Sequence, residues 1–384
     1  MTTPYAGTVG REATQLTRCR GCGSSDLTVV LDLGMQSACD HFPPADDVGP
    51  DPRWPLALAL CGECGLVQLD HVSPVPEEPL AVESATLRRH AVEASGRLLA
   101  RIGGRPGLTV REFASHHGGS WATALADAGC RHVESGADLV VDNQSIIHAE
   151  DLEAELATRV ATLGDDGLLA IEFHHALAQL EQAQFDTVRH GHPLYFSLHS
   201  WAAACRRHGL SVVDAWTEDV FGGCLVVLAQ RGDHEPSPEA QQILTREEEA
   251  SATNPSGYTR LDGHMAATIG ALRDFLDDAR ARGRSVAAYG AGSKAVTFLG
   301  VARALAGVDA TDLRFVADLA PGKHGRRIPG TSIPIVSPAQ LVAAAPDDVV
   351  ILTWDIAEEV VAQLRAAGLH ARYVVPMPEL REVG

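Results

Sequence analysis

The 384 residues contain no apolar run near the ~20 that a membrane-spanning helix needs. Met1–Gly10 lacks a basic segment followed by an apolar one, so no secretory signal is read there. Both absences place the chain in the cytoplasm, with no membrane partner. Positive charge is scarce: 31 Lys and Arg stand against 50 Asp and Glu, a net charge of −19. That excludes nucleic acid as the main partner, because such binding rests on neutralising phosphates. One small phosphorylated ligand is still allowed, since it needs only a local cluster of donors. Cysteine is too sparse, at eight, for a disulfide scaffold. Cys39, Cys130, Cys205 and Cys224 read as ordinary thiols. Repeats, low-complexity tracts and the G-x-x-x-x-G-K spacing of a P-loop are all missing, and the last absence excludes P-loop nucleotide hydrolysis.

What is present is ordinary globular composition, 45% hydrophobic and 21% charged, at a length that suits two to three domains. Residues 1–75 hold two Cys-x-x-Cys pairs and end at the connector Ser73-Pro74-Val75-Pro76. Residues 76–232 alternate helical and strand-like pieces. Helical spacing covers Leu87–Ile102, Ala122–Ala128, Leu152–Leu163 and Leu198–His208. Strand candidates are Leu108–Phe113, Asp138–Val141, Gly167–Phe173, Leu210–Val213 and Cys224–Ala229. Residues 233–283 are a polar, partly helical linker, with prolines and the run Glu247-Glu248-Glu249, followed by an amphipathic helix through Met265, Ile269, Leu272 and Leu276. Residues 284–384 return to α/β alternation. The fold class is α/β: a small zinc-binding domain, then two Rossmann-like domains with largely parallel sheets.

Cys19-Arg-Gly-Cys22 and Cys61-Gly-Glu-Cys64 are separated by 38 residues. Four thiolates satisfy tetrahedral Zn²⁺ and leave no position for water, so the metal is structural. The other readings are free thiols or redox dithiols, and a redox pair would not need a second copy. In the last block, strand Val286–Tyr289 runs into Gly290-Ala-Gly292-Ser293-Lys294-Ala295. Such a turn suits a phosphate on backbone N–H groups, and Asp318, 23 residues past Ala295, stands where a ribose-binding acid could sit. A plain tight turn accounts for the glycines equally well.

Taken together, these pieces resemble the sugar C-methyltransferases of deoxysugar biosynthesis, which act on nucleotide-activated keto-sugars. The resemblance spans nearly the whole chain. In the zinc domain it rests on Leu31-Asp-Leu-Gly34, Gln36, Ala38, Phe42, Pro55-Leu56 and Cys61-x-x-Cys64-Gly-Leu-Val-Gln68. In the C-terminal domain it rests on Tyr289-Gly-Ala291, Ser293-Lys294, Asp318, Pro321-x-Lys323-x-Gly-Arg326, Pro329-Gly330-Thr331-x-Ile333-Pro334 and Leu352-Thr-Trp354. The resemblance implies a nucleotide-diphosphate sugar, dTDP-linked, as ligand. Its binding residues would be Asn143, Tyr195, Gly290, Ala291, Ser293, Lys294, Asp318, Lys323 and Arg326.

The central domain departs from that pattern. The family's glycine-rich S-adenosylmethionine loop, similar to E-I-G-x-N-D-G, is here Glu112-Phe-Ala114-Ser-His116-His117-Gly118. Only about 20 residues then precede Asp138, too few for the two further strands of a complete cofactor half, and Glu134 is the only acid nearby. The sequence therefore leads one to expect that S-adenosylmethionine does not bind. The family's N-x-x-x-x-H is kept as Asn143 and His148. Its Y-x-E-H has become Arg189-His-Gly-His192, and its H-G-G has become Phe221-Gly-Gly223. His192 is then the principal acid/base, His148 its counterpart, and Arg189 steadies charge on oxygen. An enolate with no methyl donor is reprotonated, so the expected activity is a cofactor-independent isomerase: an epimerase, tautomerase or pyranose/furanose mutase. The alternatives are an S-adenosylmethionine-dependent sugar C-methyltransferase, a nicotinamide oxidoreductase using the Gly290 loop, and a non-catalytic partner of a sugar-pathway enzyme.

Overall fold

Strands Leu27–Ser37, Arg53–Cys61 and Val67–Leu69 form an antiparallel meander whose middle strand is buried almost throughout. The fourth strand of that sheet comes from far along the chain. Leu194–Tyr195 pairs antiparallel with Val67–Leu69, so the zinc domain is completed by the central block. The computed structural model describes residues 12–384 apart from 48, 76–79, 81, 116 and 117.

The central sheet has the order 210–218, 224–231, 163–174, 137–143, 109–114, 131–132. Its last four strands are mutually parallel and the first two antiparallel. Ala137–Asn143 is apolar and buried on both faces because helices cover the sheet, as parallel strands require. Helix Ala85–Arg101 starts where the Ser84 side chain accepts from the Leu87 N–H. Helix Leu152–Thr162 starts in the same way at Asp151. The C-terminal sheet runs 335–336, 316–317, 286–289, 348–351, 372–375 in parallel, with 381–383 antiparallel at the edge. Among the described residues no helix is long and apolar enough to cross a membrane.

Three expectations are corrected. A strand does precede Glu134: Arg131–His132 lies parallel to Thr109–Ala114, so one of the two missing strands survives as a two-residue stub. The fourth parallel strand begins at Leu163, ahead of Gly167. The polar linker is largely a helix, Pro238–Glu249, capped by Ser237 with Pro238 in its first turn. Glu247 belongs to that helix and is 1% exposed. It accepts from His175 Nε2 (2.7 Å), His199 Nδ1 (2.8 Å) and the N–H groups of Leu198 and His199. Burial by itself would raise its pKa; the bonds from His175 and His199 outweigh that and hold it at about 2.

Candidate functional site

Two built sites emerge. In the first, the ligand atoms of Cys19, Cys22, Cys61 and Cys64 all lie within 4.8 Å of one another. Cys19–Cys64 and Cys22–Cys61 are each 3.6 Å apart, sulfur to sulfur. A tetrahedron with Zn–S bonds of about 2.3 Å has edges of about 3.8 Å, so the set fits zinc. Without a cation the thiols cannot ionise together. The hydrogen bond between Cys64 and Cys19 lowers Cys19 to about 4 and pushes Cys64 up, while burial raises Cys61 to about 11. The turn glycines are Gly23 (φ +74°) and Gly65 (φ +70°), each just beyond its cysteine pair, and not Gly21 and Gly62 within the pairs.

The second site is a cleft of about 290 Å³ shared by all three domains. In an open parallel sheet, ligands bind beyond the carboxyl ends of the strands, where the strand order reverses. The central sheet reverses between 109–114 and 137–143, and the C-terminal sheet between 286–289 and 348–351. Both crevices open into this one cleft. Ser115, Gly118, Gly119, Asn143, Gln144 and His174 line it from the first sheet; Gly292–Ala295 and Leu352, Thr353, Asp355 and Ile356 line it from the second. Asp40 and Phe42 of the zinc domain and Glu83, Ser84, Thr86 and Leu87 of the connecting segment close it.

The expected catalytic residues meet here. His148 and His192 are edge to face, with ring centroids 4.7 Å apart. His148 Nδ1 lies 2.7 Å from the Gly191 carbonyl, which can only accept, so that nitrogen carries the proton and Nε2 the lone pair. His192 Nε2 faces an Arg189 Nη2 that can only donate, so its lone pair is already engaged. Arg189 also pairs with Asp40 at 3.3 Å. His148 thus has the base-like tautomer, while Arg189 and Asp40 hold His192 in place. His190, buried, is bonded to the Pro55 carbonyl, and burial lowers its pKa to about 4. His116 and His117 lie outside the described residues.

The expected substrate-binding set divides. Asn143, Ser293, Lys294 and Lys323 line the cleft. Gly290, Ala291, Tyr195, Asp318 and Arg326 do not, and each has a structural use. Asp318 accepts from the N–H groups of Ala291 (2.7 Å) and Ala320 (2.8 Å), so its carboxylate is occupied. Gly290 is glycine because φ is +95° and a Cβ would stand 2.5 Å from Thr353. Tyr195 is buried and its hydroxyl accepts from the Arg189 N–H. Arg326 donates to the Phe42 carbonyl at 2.6 Å, tying the C-terminal domain to the zinc domain. Lys294 is bonded to the Phe221 carbonyl (2.7 Å) and Asp355 (3.1 Å). Lys323 donates to the Ala291 carbonyl at 2.8 Å.

Among the cleft residues that the sequence did not single out are Asp40, Gln144 and His174. Asp40 gave no signal. Gln144 and His174 are polar groups at the ends of apolar strands, the same cue that marked Asn143. Gln144 (φ +55°) and Phe221 (φ +55°) are non-glycine residues in the left-handed region, and both line the cleft.

The fit of S-adenosylmethionine is uneven. Gly118 (φ +97°) and Gly119 (φ +79°) leave the cleft wall without a Cβ, but the Gly119 N–H already donates to Glu83 (2.8 Å) and its carbonyl accepts from the Asn143 amide. Ala114, in the place of the family's first loop glycine, ends the strand 109–114, is exposed and is not among the cleft's lining residues. Glu134, the acid after the strand 131–132, is not among the cleft's lining residues; it is exposed and paired with Arg111 and His132.

Residues 219–378 match the family described as the C-methyltransferase C-terminal domain, and residues 19–78 match a zinc binding domain. The C-methyltransferase NovU of Streptomyces niveus is 29% identical over 95% of this chain and 96% of its own length. Among solved structures, the Synechocystis PCC 6803 magnesium protoporphyrin IX methyltransferase with bound SAH is 13% identical, covering 40% of this chain and 91% of its own (TM-score 0.29). The Burkholderia thailandensis 1,6-didemethyltoxoflavin-N1-methyltransferase is 19% identical, covering 42% and 96% (TM-score 0.27). The near full-length alignment and the C-terminal match overturn the expectation of a cofactor-independent isomerase, since both point to methyl transfer to carbon.

Proposed function

We propose, for a chain that belongs to the C-methyltransferase family, methyl transfer from S-adenosylmethionine to a carbon beside the keto group of a nucleotide-diphosphate sugar, dTDP-linked. The observation that carries this reading is the convergence of two switch-point crevices on one cleft with a base-like imidazole inside it. S-adenosylmethionine takes the place of the expectation that no such donor binds.

His148 Nε2 accepts the proton from the carbon acid, leaving an enolate. His192, fixed by Arg189, keeps His148 in orientation through their edge-to-face contact. Ser115, Gly118 and Gly119 line the cleft where the donor's methionine half would pack. When bound, the donor supplies an electrophilic methyl group for the nucleophilic carbon. The nucleotide diphosphate would meet the start of helix Ser293–Ala306, which no side chain caps, so its first N–H groups remain for phosphate. Lys294 adds a positive charge beside them.

The test incubates the zinc-loaded protein with S-adenosylmethionine and a dTDP-linked keto-deoxysugar. A new C–CH₃ signal by NMR, with formation of S-adenosylhomocysteine, is the expected result. A sugar recovered unmethylated across a panel of such keto-sugars overturns the reading.

A further inference from the structure

His174 is the last residue of strand Leu163–His174 and lies on the cleft wall. Its ring sits between His192 (centroids 5.7 Å apart) and Phe221 (5.5 Å). The histidines around it are all engaged: His148 with Gly191, His192 with Arg189, His175 with Glu247 and His190 with Pro55. His174 differs. Its Nδ1 is sealed from solvent with no partner, and its Nε2 makes no hydrogen bond among the described residues. Nε2 is therefore the ring nitrogen that opens on the cleft.

Two arguments fix the state of this ring. Burial, then the positive charges of Lys294 and Arg189, hold its pKa well below the ordinary histidine value, so the imidazole is neutral. A neutral imidazole has one proton to place. A sealed N–H with no acceptor is the costlier orphan, because native proteins leave donors unpaired less often than acceptors. The proton therefore sits on Nε2, pointing into the cleft. Among the described residues no other group on this wall offers a neutral ring N–H with nothing to donate to.

We infer that His174 is a catalytic hydrogen-bond donor, its Nε2–H binding the keto oxygen of the substrate and the enolate oxygen that forms when His148 removes the neighbouring proton. This rests on the proposed carbon methylation. The C–H bond breaks, its proton goes to His148 Nε2, and its electron pair moves into the enolate, whose negative oxygen His174 receives without giving up its own proton. A neutral donor is suited to this task, because an imidazolium would protonate the oxygen and lose the carbanion character that methylation needs. Arg189 is less suited, since Asp40 and His192 already draw on its guanidinium.

The experiment has two arms. In the resting zinc-loaded protein, ¹⁵N NMR of the histidine rings should show His174 neutral at pH 7 with its proton on Nε2; a proton on Nδ1, or an imidazolium, overturns the proposal. In the second arm, deuterium wash-in from D₂O into a dTDP-linked keto-deoxysugar is followed for the parent, His174→Phe and His174→Gln. The ring-preserving His174→Phe should slow wash-in by about 10²–10³-fold with KM nearly unchanged, the usual effect of losing one oxyanion donor. His174→Gln, which returns an N–H near the Nε2 position, should recover at least about tenfold of that loss. Wash-in at the parent rate in both variants sinks the role of His174 while leaving the carbon-acid reading intact. A parent protein that neither washes in deuterium nor methylates sinks the carbon-acid reading, and this inference with it.

Discussion

Asp318, the acid that follows the second strand of the C-terminal sheet, spends its carboxylate on the N–H groups of Ala291 and Ala320. In the central sheet the strand-end groups Asn143, Gln144 and His174 line the cleft. The two sheets present the same kind of crevice to the same space, yet the acid of the C-terminal loop is bonded within its own loop, whereas His174 at the end of a central strand has no hydrogen-bond partner among the described residues. Lys323 and Arg326 follow the first pattern, since they bond the Ala291 and Phe42 carbonyls. A glycine turn followed by an acid at the right interval therefore describes a backbone shape, and the hydrogen bonds decide whether any of it remains for a nucleotide.

Four experiments would break or sharpen that contrast, beginning with the domain wedged against both sheets. Cys61→Ser should abolish tight zinc binding and cooperative unfolding, because structural zinc supplies on the order of 10 kcal/mol in small metal-dependent domains. Metal analysis with a thermal melt decides it, and normal folding with zinc retained counts against the site. Next, His148→Ala should lower methyl transfer by about 10²–10⁴-fold with a nearly unchanged melting temperature. Parent-like turnover would remove the central crevice from the chemistry.

Glu247→Gln comes third. The carboxylate's pKa is lowered on folding to about 2 from an ordinary 4.5. Its contribution is therefore fully present above pH 4.5 and is lost as the pH falls toward 2. The variant should lose about 3 kcal/mol at neutral pH, as expected on breaking a buried ion pair, and its stability should vary less than the parent's through that acid window. Melting temperatures from pH 7 to 2.5 test this; parallel curves would show that His175 and His199 do not depend on the charge. The smallest effect belongs to the C-terminal turn. Asp318→Ala strands two N–H groups and should cost about 1–3 kcal/mol of stability, with nucleotide affinity changed by less than threefold. A larger loss of dTDP binding by calorimetry would return Asp318 to the ligand.

Much of the scaffold was legible. Helices 85–101, 152–162 and 198–207 and strands 109–114, 137–143 and 224–231 fall within a few residues of their apolar periodicity, because each buries one stripe or both faces. The four zinc ligands were legible from spacing alone. What escaped was decided by distant partners. Glu247 looks like part of a solvated acidic run, yet it is buried against His175 and His199, 72 and 48 residues away. The signal for its helix was present in Ser237-Pro238, a cap followed by a first-turn proline. The hydrogen bonds of His148 and His192 were not legible, because they depend on which ring nitrogen meets Gly191 or Arg189 across the fold. The stub 131–132 was missed because two residues carry no periodicity.

The pairing of Leu194–Tyr195 with Val67–Leu69 also has a consequence for synthesis. All four cysteines have been translated by residue 64, so zinc can be captured early, but the edge at 67–69 waits 125 positions for its partner strand. At a translation speed of roughly 5–20 residues per second that is about 6–25 s with an apolar edge unpaired. The nascent chain is most exposed to aggregation in that interval. Slow codons placed between residues 70 and 190 should therefore lower soluble yield, and the same codons placed after residue 200 should not.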